Sequence, residues 1–302
     1  MSLVHAIVLT FNEQGHLARC LQSIAGVCYS ILVVDSGSTD RTRDIAATFG
    51  AKVITNPFVN YAEQFNFGIS QVHGDGGWIL RIDADEVLVN PPREVFQTLD
   101  KAKCNIDGLL VRRRIHFMGR PMKWGGMDPI WQLRLWRQGS GMCESRWMDE
   151  HIVVQRDVQK SGLLIDDINL NSVTWWTDKH NRYASREAID VVMRMYSTNH
   201  PEQGPPSLSR GQIAIKRAFK EHLYLHLPPG LRAVIYFVYR YIIRFGFLDG
   251  KAGWYFHVLQ GLWYRTLVDA KVSEILRDVS IRKCALGDAI RHNTGIEIGK
   301  WN

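Results

Sequence analysis

The 302-residue chain predicts an α/β fold: a sheet covered by helices on both faces, extended by antiparallel strands and followed by a helical C-terminal region. Three observations lead there. Short, continuously apolar runs alternate with helical periodicity through the first hundred residues, the pattern of βαβ units whose strands are buried on both faces. Longer strands of mixed polarity follow between residues 107 and 165. From Asn181 onward the signal is helical, broken at Gly204-Pro205-Pro206, Pro228-Pro229-Gly230 and Asp249-Gly250.

Taken in order, Val4–Leu9 reads as the first strand. Leu17, Leu21 and Ile24 lie at helical spacing, and Ile31–Val34 is the second strand. Ser38-Thr39 offers an N-cap to a helix carrying Ile45, Ala46 and Phe49, which Gly50 stops. Ala51–Ile54, a helix through Ala62, Phe65, Ile69 and Val72, and the strand Trp78–Ile82 complete the repeat. Gly108–Phe117 and Pro129–Arg137 are expected to add antiparallel strands. Helices are expected over Arg182–Tyr196, Leu208–His226, Leu231–Phe245 and Ala252–Ile275. A boundary near Pro205 divides the chain into 1–204 and 205–302.

Hydrophobic residues at 46% and charged residues at 22% exclude a disordered or collagen-like chain. The five cysteines are scattered without a CxxC pair, which argues against a zinc knuckle or a disulfide framework and for a reducing cytoplasm. The N-terminus runs into a strand without a basic leader, so no signal peptide is expected. Residues 1–209 hold 22 Lys and Arg against 23 Asp and Glu, whereas residues 210–302 hold 15 against 7. The positive excess of the C-terminal third points to an anionic partner, and the balance of the rest argues against nucleic acid as that partner.

Ligands of such sheets bind beyond the carboxyl ends of the parallel strands. Three loops lie there. Thr10-Phe11-Asn12-Glu13 contains no GxGxxG, so a dinucleotide site of the usual kind is not expected. Its hydroxyl, amide and carboxylate suit hydrogen bonds to a base or sugar, although Asn12 could equally cap a helix. The second loop, Asp35-Ser36-Gly37-Ser38-Thr39-Asp40, brings an acid to a strand end and a glycine for a sharp turn. The third, Asp83-Ala84-Asp85-Glu86, crowds three carboxylates after a buried strand. They repel one another unless a cation sits there, and carboxylates beside a diphosphate suit Mg²⁺ or Mn²⁺.

Together these loops resemble glycosyltransferase family 2, the inverting enzymes of the GT-A fold, a Rossmann-like mixed sheet with flanking helices. The family's T-x-N-E is Thr10–Glu13, its V-V-D-x-G-S-x-D is Val33–Asp40, and its D-x-D is Asp83-Ala84-Asp85. The resemblance covers about residues 3–200. It implies that Thr10, Glu13 and Asp35, with Asn12 and Ser38 beside them, contact the nucleoside of a nucleotide-sugar donor. It implies that Asp83 and Asp85 hold the metal and diphosphate, Asp85 as principal ligand. An inverting transfer also needs a general base for the acceptor hydroxyl. Trp147-Met148-Asp149-Glu150-His151 supplies Glu150, with Asp149 as runner-up and His151 as a possible metal ligand. A lipopolysaccharide-core subgroup carries H-E where this chain has Asp149-Glu150. Lys179-His180-Asn181-Arg182-Tyr183-Ala184-Ser185 is similar to the family's K-x-N-R-Y-S, and a Lys179/Arg182 pair opening a helix would neutralise the leaving diphosphate.

Between Phe219 and Tyr264 stand 13 aromatic residues, with Arg232, Arg240 and Arg244 among them. Arg240 and Arg244, one turn apart, are expected to share a face. Apolar bulk edged by rings and cations, without a run long enough to span, describes helices in a membrane interface. The tail also resembles that of the lipopolysaccharide-type subgroup, whose acceptors are lipids or lipid-linked sugars. The expectation is a cytoplasmic enzyme, peripheral on the inner face of the membrane, using a UDP-sugar and a lipid-linked or surface-glycan acceptor. The rivals are a nucleotidyltransferase, which would carry a glycine-rich phosphate loop after strand one, and a non-catalytic membrane binder.

Overall fold

The computed structural model describes residues 4–73, 76–89, 99, 106–144, 151–196 and 228–297. They form two units, dividing near residue 170.

The first unit is built on a mixed sheet of nine strands among the described residues. Strands β1 (Val4–Thr10), β2 (Ser30–Asp35), β3 (Lys52–Thr55) and β4 (Trp78–Arg81) are parallel, in the spatial order β3-β2-β1-β4. Beyond β4 the sheet continues through β8 (Ile130–Arg137), β6 (Ile106–Phe117), β11 (Asp157–Ile168) and β5 (Glu86–Val89). As expected, β8 and β6 enter antiparallel, β8 against β4 and β6 against β8. The short β7 (Arg120–Pro121) pairs with β6, while β9 (Gly141–Cys143) and β10 (Ile152–Val154) form a separate ribbon.

The apolar runs are continuous because both faces are covered. Val4, Ala6 and Val8 pack with Leu17, Cys20, Leu21 and Ile24 of helix α1 (Leu17–Ile24), whereas Ile7 packs on the other face with Phe65 and Trp136. Helix α3 (Tyr61–Ser70) lies close to the sheet at Gly68, where an added Cβ would come within 2.9 Å of Ile7. Helix α2 (Thr42–Thr48) departs from expectation at its start. Asp40, not Ser38 or Thr39, accepts its first amide, from Thr42 at 3.0 Å. Ser38 is drawn instead toward Asp35.

The second unit is helical. Helix α4 (Val173–Tyr196) begins well before the expected Arg182, because Ser172 accepts the N–H groups of Trp175 and Trp176. Ala184, Ala188, Ile189 and Val192 of α4 share a core with Val268, Val272 and Ile275 of α7 (Tyr264–Arg282) and Ala289 and Ile290 of α8 (Leu286–Thr294). Helix α4 thus belongs with the C-terminal helices, not with the sheet; the expected boundary and the expected helix Leu208–His226 lie outside the described residues.

Helix α5 (Leu231–Val238) continues as π-helix over Tyr239–Ile243 and stops at Phe245. Helix α6 (Gly250–Phe256) runs through a π-helical stretch, His257–Trp263, into α7. Here the structure corrects the sequence reading. Arg240 is 3% exposed, donates to Gln260 and lies over the Tyr236 and Phe256 rings, whereas Arg244 is exposed. The two do not share a face: the switch to π-helix changes the angular step between them. Arg232 is equally buried, paired with Asp269.

Candidate functional site

The carboxyl ends of β1, β2 and β4 lie on one edge of the sheet because the strands are parallel and adjacent. The first two loops are stitched together there, residue by residue. The Asn12 N–H donates to Ser38 Oγ at 2.9 Å, and the Thr39 N–H donates back to Asn12 Oδ1 at 2.9 Å. The Glu13 N–H donates to Thr42 Oγ1, and the Gln14 N–H to Asp40 Oδ2. Asn12 sits at φ 55°, a left-handed conformation that a short amide side chain tolerates. It therefore joins two loops and does not cap α1. Gly37, at φ +90°, makes the turn that brings Ser38 back over Asp35.

Asp35 is fully buried. Its Oδ1 accepts from Thr10 Oγ1 at 2.9 Å and from Ser38 Oγ, and its Oδ2 accepts from the N–H groups of Gly37 and Ser38 at 3.0 and 2.8 Å. Thr10 and Ser38 are buried with it. Of the five residues expected at the nucleoside, these three form an internal brace. Asn12, Glu13 and the exposed Phe11 ring remain at the surface of the ledge they hold.

The third loop differs from its sequence reading in how its charge is balanced. The register that sets Leu80 opposite Leu135 brings Arg134 of β8 beside the end of β4. Arg134 donates to Asp83 Oδ2 at 3.2 Å and to Glu86 Oε1 at 2.6 Å. Arg113 of β6 donates to Glu86 and to Asp167. Burial opposes ionisation of Asp83, yet Arg134, Arg81 and Arg113 outweigh it and hold its carboxyl well below the usual range. Glu86, wholly buried, is pushed up to about 7 by burial, although the guanidiniums pull the other way. Strand arginines thus relieve the crowding of Asp83 and Glu86 without a metal.

Asp85 stands apart from that cluster. Half-buried, it accepts on Oδ2 from Asn169 Nδ2 at 2.9 Å, and its carbonyl accepts the Ile168 N–H. Among the described residues no three His, Cys, Asp or Glu side chains converge on one cation position. A divalent ion that keeps its waters and shares a diphosphate needs only one or two protein carboxylates. Asp85 fits that role, whereas Asp83 is committed to Arg134.

The end of β11 ties these loops together. The Leu170 N–H donates to His16 Nε2 at 2.9 Å, so the ring carries its proton on Nδ1 and donates to Glu13 Oε2 at 2.7 Å. Arg19 donates to the Ile168 carbonyl. Residues 168–170 therefore contact the Glu13 loop through His16 and the Asp85 loop through Asn169. Sequence reasoning missed His16, Asn169, Arg113 and Arg134, whose partners lie far away in sequence.

Asp149 and Glu150 lie outside the described residues. His151 is exposed and belongs to no metal-binding group among the described residues. Lys179 and Arg182 lie within α4, not at its opening, so no helix N-terminus backs them. Lys179 rests over the Trp175 and Tyr183 rings, and Arg182 is exposed.

The family model for glycosyl transferase family 2 matches residues 5–147. A glycosyltransferase of Rickettsia prowazekii is 40% identical over 205 residues, 64% of this chain and 69% of the relative. One from Rickettsia typhi is 41% identical over 88 residues, covering 29% of this chain but only 30% of that relative. The lipopolysaccharide core biosynthesis glycosyltransferase LpsC of Rhizobium meliloti is 31% identical over 159 residues, 51% of this chain and 58% of LpsC. Among solved structures, glucosyl-3-phosphoglycerate synthase from Mycobacterium tuberculosis, in complex with Mn²⁺, UDP and glucosyl-3-phosphoglycerate, is 23% identical over 38% of this chain and 44% of its own, with a TM-score of 0.30. With three motif loops on one edge of a mixed sheet and a Rickettsia relative matched over more than two thirds of its length, the chain belongs to glycosyltransferase family 2, of GT-A fold.

Proposed function

We propose that the chain is an inverting glycosyltransferase that moves a sugar from a UDP-sugar to a hydroxyl of a lipid-linked or surface-glycan acceptor. The observation that carries this reading is the braced ledge of the first two loops beside an uncommitted Asp85. The ledge presents Phe11, Asn12 and Glu13 to the nucleoside, held by the buried Asp35. Asp85 would hold Mg²⁺ or Mn²⁺ against the diphosphate, and the bound ion would supply charge stabilisation to the leaving group. Glu150, with Asp149 as the alternative, takes the acceptor proton as its oxygen attacks the sugar C1. The bond from C1 to the diphosphate oxygen breaks on the opposite face, and the electron pair leaves with UDP. Lys179 and Arg182 are the cations proposed to meet that diphosphate. The likeness to LpsC supports a lipopolysaccharide-type acceptor, and with it a cytoplasmic enzyme at the inner face of the membrane.

A donor screen by nucleotide release tests this. UDP should be released from one UDP-sugar with Mn²⁺ present, and release should stop with a chelator. Asp85→Ala should abolish it without loss of fold, since the side chain is half-exposed. Full release in the chelator would remove the metal, and pyrophosphate as the product would favour a nucleotidyltransferase.

A further inference from the structure

We propose that the outward face of residues 231–256 is a membrane-docking surface, seated in the headgroup layer of an anionic bilayer. This supplies the surface for the membrane association proposed above, and it rests on that reading only for where the acceptor lies.

The polarity of this segment is inverted. Arg232, Ala233 and Arg240 are buried, and the two arginines are satisfied inside the unit by Asp269 and Gln260. Leu231, Val234, Ile235, Val238 and Ile242 point outward at helical spacing. A helix folded for water turns these classes the other way. The apolar strip continues where the helix ends, through Phe245, Phe247 and Leu248, and on to Trp254 and Tyr255. Contiguous exposed apolar surface of this kind marks an interaction site.

A second observation is independent of exposure. Phe245 holds φ 59° and ψ 28°, a left-handed conformation that a bulky side chain rarely adopts, and its ring is 52% exposed. The strained residue lies at the tip of the apolar strip, where a glycine would cost the fold nothing and would remove the ring from the surface.

Charge selects the occupant. Asp249 is the one acid between residues 231 and 263, and it is half-buried, while Arg244 and Lys251 are exposed. A surface of apolar side chains, aromatic rings and cations fits an anionic lipid layer. A second copy of the same patch would bring like charges to one interface. Among the described residues no helix is long and apolar enough to cross a membrane, so the segment lies along the surface.

Cosedimentation tests the surface, with vesicles of equal parts phosphatidylcholine and phosphatidylglycerol against phosphatidylcholine alone. The full chain should bind the mixed vesicles more tightly. Ile242→Asp and Phe245→Asp should weaken that binding by at least about tenfold. Arg244→Glu with Lys251→Glu should remove the preference for phosphatidylglycerol. Phe245→Gly keeps the experiment decisive if the aspartate variants misfold: its Tm should hold or rise while vesicle binding falls. Equal binding of wild type, Ile242→Asp and Phe245→Gly would overturn the proposal. So would a dimer in solution that Ile242→Asp dissociates, since the face would then be an interface between copies. Nucleotide release is read on the same samples. Vesicle binding without release from any donor would sink the transferase reading and leave the surface standing.

Discussion

Asp35 meets four donors with its two oxygens, and Thr10, Gly37 and Ser38 supply them. A buried carboxylate that accepts from neighbouring main-chain and hydroxyl groups is a brace: it fixes the turn on which the neighbouring loop rests. Asp35→Asn tests this at the scale of one atom. The new NH₂ must face an N–H or an O–H wherever it points, so a buried donor loses its acceptor. The expected loss is about 2–3 kcal/mol in urea unfolding, with weaker UDP binding as a consequence. Weaker UDP binding at unchanged stability would instead mean that Asp35 touches the nucleoside directly. A strand-end acid is visible in sequence, but whether its oxygens face a ligand or its own loop depends on how the loop folds back. Ser38 shows the same limit, because a hydroxyl two residues before a helix can cap it or turn to an acid three residues earlier.

At the scale of elements, residues 168–170 join two loops that sequence reasoning treated separately. Asn169 orients Asp85, and His16 orients Glu13. Second partners of this sort typically change metal affinity by about 10–100-fold. Asn169→Ala should therefore raise the Mn²⁺ concentration for half-maximal activity by about tenfold, while kcat at saturating Mn²⁺ changes less. An unchanged Mn²⁺ requirement would reduce Asn169 to packing. The strands of the sheet were legible to within a residue or two, because burial on both faces leaves continuous apolar runs. The arginines that balance Asp83 and Glu86 were not, since the register of β8 and β6 leaves no mark in either strand alone. The C-terminal helices were legible as helices, but periodicity identifies two faces without saying which one the protein buries. In the second unit burial also fixes two histidines as neutral. His180 and His257 are pushed down to about 4, by burial first, with Lys179 and Arg240 respectively adding to the shift. A histidine depressed in the folded state carries no penalty above about pH 6.5, and it costs stability progressively as pH falls from there toward 4. Stability should thus fall on the order of 1–2 kcal/mol from pH 7 to pH 5 on account of His257. His257→Leu should flatten that part of the slope in pH-dependent thermal unfolding.

For the whole molecule, the chemistry divides between the units. The first unit carries the three loops at one sheet edge, and its residues up to 209 are close to charge balance. The second carries the positive excess and the inverted helix. Hydrogen exchange with mass spectrometry reads both on the intact chain. UDP with Mn²⁺ should slow exchange in residues 10–14, 35–40, 83–86 and 168–170, because ligation there holds closed the backbone bonds that stitch these loops. Anionic vesicles should slow exchange instead in residues 231–256, most strongly near Phe245, where the helix ends and amides open most readily. Adding both should give both patterns. Nucleotide protection that appeared in α5 and α6 and spared the strand-end loops would place the donor on the helical unit. It would sink the assignment of Asp85 together with the division of labour between a sheet that holds the nucleotide and helices that hold the membrane.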